Sequence, residues 1–135
     1  MDRRLITYAV CVWAVSFGAP HIWWALGIRA GFPGGDRSYE LFMAATWRVI
    51  FNLTVIVLCV ATIVIALMLQ RPRHQLARRW IPLTIAWVGA VMLLLRGVAG
   101  MIVDGVTDPI WWPAFLVGGL LMAAMSWTAQ RDSAV

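Results

Sequence analysis

An imidazole, two guanidiniums, a carboxamide and two carboxylates stand inside or beside the long apolar runs of this sequence: His21, Arg48, Arg96, Asn52, Asp104 and Asp108. His21 can give or take a proton near neutrality, since an unperturbed imidazole titrates at about 6.5. Asp104 can pair with Arg48 or Arg96, or act as a general acid if desolvation raises its pKa. A carboxylate in an exposed loop is the plainer alternative. An arginine at the centre of an apolar span costs about 2.5–3.5 kcal/mol to insert, so Arg96 requires protein, water or a ligand beside it. That partner is either a structural ion pair or carbonyl, or an anionic or polar group of a ligand. Arg48 is nearer a span end, and its stem can snorkel to the headgroups. Asn52 lies one turn along the same face and can also serve as glue between helices. Asp108 before Pro109 reads first as a helix N-cap followed by proline at the first helical position.

Metal and redox chemistry have little to stand on. The second histidine, His74, belongs to a basic connector, and no zinc set of three or four ligands can be assembled. Cys11 and Cys59 lie in separate apolar runs without a CxxC, and read as small apolar residues. No cofactor is expected.

Long apolar elements must hold these groups. The 135 residues are 62% hydrophobic, with a mean hydropathy of +0.82. Soluble domains are about 45–50% apolar, so the composition points away from a water-soluble globule. Spans are expected at about 5–26, 47–69, 81–103 and 110–128, forming one four-helix transmembrane domain over 1–135. The first covers roughly 33 Å at 1.5 Å per residue, enough to cross hydrocarbon. It is too long for a typical signal-peptide core and lacks a good cleavage site, so it is read as retained. Gly31-Phe32-Pro33-Gly34-Gly35 marks a turn, after which Asp36 or Ser38 can cap the next helix; the helix of the second span can begin earlier than the span itself, with Tyr39 to Thr46 lying in the interface. Pro20 removes a backbone hydrogen bond inside the first span and kinks it beside His21, freeing the Ser16 carbonyl.

The basic residues are 11 arginines with no lysine, for a net charge of +5. Most sit between spans, as topology signals do, so nucleic acid is not an expected partner. Under four spans, Arg3, Arg4, Arg71, Arg73, Arg78, Arg79 and Arg131 share one side; Arg29 and Arg37 share the other with most acidic residues. Both termini are therefore expected in the cytoplasm. Tryptophans agree: Trp23, Trp24, Trp47, Trp111 and Trp112 fall at the outer boundary, Trp80 and Trp127 at the inner. Trp13 and Trp87 sit deeper and need partners for their N–H groups. Small and polar residues recur at helical spacing in every span, which lets membrane helices pack closely and turns those faces inward. His21, Arg48, Asn52 and Arg96 lie on those faces and Asp104 returns to the same depth, so one polar pocket is expected in the outer half of the bundle.

The segment His21-x-x-Trp24-Ala25-Leu26-Gly27, with Leu95-Arg96-Gly97 in the third span, resembles a bacterial family of small four-span membrane proteins, domain-of-unknown-function family 3995. A further glycine typically follows the first motif in that family; here Ile28-Arg29-Ala30 intervenes. The resemblance implies a four-helix bundle in the bacterial cytoplasmic membrane with His21, Trp24 and Arg96 as signature positions. It implies no activity.

From the residues themselves, two functions compete ahead of a plain scaffold. One is a membrane-embedded acid–base enzyme, a cyclase or isomerase of an isoprenoid-type lipophile. Asp104 or His21 would carry the proton, and Trp23, Trp24, Trp47 and Trp111 would face a cation. The other is non-enzymatic binding or transport of a lipid or small anion by Arg48, Asn52, Arg96 and His21. Membrane lipids and a lipophilic small molecule are the expected partners in either case. Oligomeric state cannot be read.

Overall fold

The computed structural model describes residues 2–32, 35–71, 80–103 and 111–131, apart from the side chains of 35 and 36. Every described element is helical: α1 (Arg3–Ala25), α2 (Gly35–Ala44), α3 (Arg48–Gln70), α4 (Trp80–Val103) and α5 (Trp111–Arg131). Four of them, α1, α3, α4 and α5, are long and apolar enough to cross a membrane.

Local chemistry sets their ends. Asp2 caps α1 by accepting a hydrogen bond from the Arg4 N–H at 2.9 Å. Arg71 is extended at the end of α3, as a residue preceding proline prefers. Pro82 is the third residue of α4 and Pro113 the third of α5, where no intrahelical partner exists for an N–H anyway. Gly27 and Gly31 turn the chain out of α1 at φ of 83° and 69°, a region that side chains with a Cβ rarely enter.

The segment before the second long span is a separate helix rather than an early start of that span. Ala45, Thr46 and Trp47 break the chain between α2 and α3. The aromatic side of α2 explains its place. Phe42 packs against Phe32, with ring centroids 4.9 Å apart, and the Tyr39 hydroxyl donates to the Gly27 carbonyl at 2.7 Å.

The long helices form two tight pairs, α1 with α3 and α4 with α5, joined through α1 and α5; α3 and α4 touch only sparsely. Glycines permit the second pair. A Cβ at Gly97 would lie 2.6 Å from Leu116, and one at Gly119 would lie 2.7 Å from Leu94. Each leucine therefore fills the space a neighbouring side chain would need. The apolar core gathers at the end holding the chain termini: Ile6 and Val10, Ala66 and Leu69, Ala86 and Ala90, with Met122, Met125 and Ala129. Thr7 and Ser126 are buried at that end too, each donating its hydroxyl to a carbonyl of its own helix, whereas His21 and Asn52 are buried toward the opposite end. Large apolar side chains such as Val12, Ile50, Leu53, Val57 and Leu120 remain uncovered around the outside, a surface suited to hydrocarbon rather than water.

Candidate functional site: a histidine in an aromatic cage

His21 is carried on the inner face of α1, one residue after Pro20, and is only 4% exposed. Its Nδ1 lies 2.8 Å from Asn52 Oδ1, across the α1–α3 contact. Asn52 is itself fully buried, and its Nδ2 donates to the Arg48 carbonyl at 3.0 Å. These bonds together choose the tautomer. A carbonyl can only accept, so the amide nitrogen of Asn52 must face Arg48 and the amide oxygen must face His21. Nδ1 therefore carries a hydrogen and donates it. In the neutral ring the lone pair is left on Nε2, which is buried and has no hydrogen-bond partner among the described residues. Buried polar atoms are rarely left so.

Aromatic rings surround the imidazole. Trp24 meets it edge-on at 4.8 Å between centroids, Phe17 lies at 5.7 Å, Phe51 at 5.9 Å and Trp111 at 6.2 Å. Trp24 is 3% exposed, and its N–H donates to the Ala30 carbonyl at 3.1 Å, tying the cage to the loop above it. Trp13 stacks on Phe17 with centroids 5.3 Å apart and donates its N–H to the Ala114 carbonyl at 2.9 Å. Trp13, Phe17, His21 and Trp24 thus form one stripe along α1, spaced by three or four residues, which puts them on one helix face. The cage is built from an acceptor nitrogen and aromatic rings. It can take a proton, or hold a positively charged carbon or nitrogen.

The remaining expected residues fall in several places. Arg48 turns back to α2, where its Nη1 donates to the Met43 carbonyl at 3.2 Å. A cation there satisfies a carbonyl at a helix C-terminus. Trp47 packs edge-on against Phe42 at 5.7 Å and Phe51 at 5.5 Å, one ring removed from the imidazole. Trp23 is 47% exposed, and no ring contact joins it to the cage among the described residues. Arg96 is exposed, with its guanidinium carbon 5.3 Å from the Phe115 ring centre. The buried face of α4 runs through Ala86, Ala90, Gly97 and Gly100, which places Arg96 at the margin of that face. Its link to His21 passes through two rings, since Phe115 meets Phe17 at 5.1 Å. Asp104, Asp108 and the connector bearing His74 lie outside the described residues.

Residue-type reasoning did not single out Phe17, Phe51 or Met43. Phe17 carried a usable signal, being four residues before His21 on the same face. Met43 carried none, because only the break after α2 brings its carbonyl to Arg48. Trp87, expected to need a partner, has a buried N–H with none among the described residues. No group of three or more His, Cys, Asp or Glu able to hold a metal occurs among the described residues. No family model matches this chain, and no curated protein and no solved structure matches it.

Proposed function

We propose that this is a multi-pass protein of the bacterial cytoplasmic membrane, with both termini inside, and that it performs acid–base chemistry on an isoprenoid-type lipophile. Four apolar helices and the excess of arginine on the terminal side support the placement. The resemblance of the His21 and Arg96 segments to domain-of-unknown-function family 3995 supports the bacterial membrane. One observation carries the chemistry: the bare, buried Nε2 of His21, in a ring held in one tautomer by Asn52 and adjoined by Trp24 and Trp111.

The reaction that suits this set is isomerisation or cyclisation of an alkene. An acid adds a proton to a double bond, whose π pair forms the new C–H bond and leaves a tertiary cation. The indole faces stabilise that charge. Nε2 then takes a proton from a neighbouring carbon, and the C–H pair closes a new double bond. Atoms and electrons balance without a cofactor. Asp104 is the expected acid, and Asp108, Arg48, Arg96, Trp23 and Trp47 the expected periphery of the bound molecule.

The test uses protein in lipid nanodiscs, a panel of polyprenols and prenyl diphosphates, and D2O as solvent. Deuterium is expected to enter the recovered isoprenoid, and His21→Gln is expected to slow that entry by about 10²–10⁴-fold, the usual contribution of a positioned base. No deuterium entry into any member of the panel would sink the enzyme reading. Binding without reaction is the second reading. It is favoured by the 4% exposure of His21, which requires the surrounding side chains to move before a substrate carbon reaches Nε2.

A further inference from the structure

Where α3 and α4 touch only sparsely, the bundle holds a cavity of about 450 Å³. That size is within the range of about 300–1,000 Å³ typical of small-molecule sites. It is a different place from the cage around His21, with Phe17 bordering both. Its walls run lengthwise. On α3 they extend from Val55 to Ile65 and on α4 from Ile85 to Leu93, which gives a slot about 12–15 Å long at 1.5 Å per residue. A slot of that length and volume has room for an extended hydrocarbon chain.

The walls exclude a polar guest along this length. Thr62 turns its hydroxyl to the Leu58 carbonyl at 2.9 Å, and Trp13 spends its N–H on the Ala114 carbonyl at 2.9 Å. Apart from the Cys59 thiol, what faces the space is hydrocarbon, aromatic ring or thioether.

One end differs. Gly89, Met92 and Leu93 line the slot from α4, and Arg96 follows at the next position of the same stripe, three and four residues on. Its guanidinium lies over Phe115, itself a wall of the slot. Because Cα–Cβ bonds on a helix tilt toward its N-terminus, the side chain of Arg96 starts out along the slot rather than toward Val103. Arg96 stays charged at any physiological pH and offers a planar fork suited to a carboxylate. It also sits seven residues short of the end of α4, roughly 10 Å down the helix. In the proposed membrane placement, a phospholipid phosphate anchored at the headgroups lies above that level.

We infer that the slot between α3 and α4 binds a single-chain amphiphilic anion, a long-chain carboxylate, with its hydrocarbon tail along Val55–Ile65 and its carboxylate on Arg96. The tail enters sideways from the bilayer, where the sparse α3–α4 contact leaves the slot open. The inference goes beyond the acid–base reading and does not depend on it.

The test is binding of radiolabelled palmitate to the full-length protein in phosphatidylcholine nanodiscs, with methyl palmitate as the uncharged control. Saturable palmitate binding near one per chain is expected. Arg96→Gln is expected to weaken palmitate at least tenfold and methyl palmitate by less than threefold, while Arg96→Lys keeps palmitate within a few-fold. Ala61→Trp and Val88→Trp, at exposed positions on the rim of the slot, are expected to remove binding of both ligands without disturbing buried packing. His21→Gln is expected to leave palmitate binding unchanged, so that failure of the cage chemistry and failure of the slot are told apart. Absence of saturable binding, indifference to Ala61→Trp, or displacement of palmitate by phosphatidylglycerol in the nanodisc would overturn the inference, the last by assigning the slot to a bilayer lipid.

Discussion

A single amide decides what His21 can do. Asn52 accepts from Nδ1 while its own N–H is committed to the Arg48 carbonyl, so the ring is not free to exchange its tautomer. Replacing Asn52 with leucine is expected to cost about 1–3 kcal/mol, the range for leaving a buried polar partner unsatisfied. Equilibrium unfolding in mixed micelles measures it. Nitrogen NMR of labelled histidine supplies the second readout: the parent protein should show one neutral form, protonated at Nδ1, and Asn52→Leu should show a mixture. A mixture already present in the parent would refute the tautomer assignment. Asn52 was visible in the sequence as a polar residue one turn from Arg48. Its orientation was not, because an amide reads the same from either end until both neighbours are fixed in space.

Among the elements, the α4–α5 pair depends on absent side chains. Leu116 occupies the space over Gly97 and Leu94 the space over Gly119. A methyl at either glycine forces overpacking, so Gly97→Ala and Gly119→Ala are each expected to destabilise the protein by about 1–3 kcal/mol. The pairing is checked by a double-mutant cycle. Leu116→Ala should recover part of the loss in Gly97→Ala and none of that in Gly119→Ala, because only residues in contact couple strongly. Gly118 plays the same part for α1, since a Cβ there would fall on the Trp13 indole. The sequence announced these helices through hydropathy alone, and α3 and α4 are among the four described helices long and apolar enough to cross a membrane. It announced α2 only in outline. An aromatic segment can lie in the interface or continue a span, and the choice was made by Phe32 and the Gly27 carbonyl, which come from α1's own exit loop.

Over the whole molecule, the apolar core cluster lies near the termini, a hydrocarbon-walled slot midway, and a ringed histidine at the far end. The proposed orientation puts that far end outside. In a background of Cys11→Ser and Cys59→Ser, a cysteine in place of Ser38 is expected to react with an impermeant maleimide in intact cells, and one in place of Asp2 only after lysis. The reverse pattern would invert the topology. The sequence by itself determined that the chain is helical, has four stretches able to span a membrane, and keeps its ionisable groups at few positions, because hydropathy and helical period are properties of consecutive residues. Which of those groups meet was decided by tertiary packing. His21 and Asn52 face one another because α1 lies on α3, and Arg96 stands over Phe115 because the buried face of α4 passes one position to its side. A rotation of a helix by one residue costs little in hydropathy and changes every neighbour, so no reading along the chain could have fixed it.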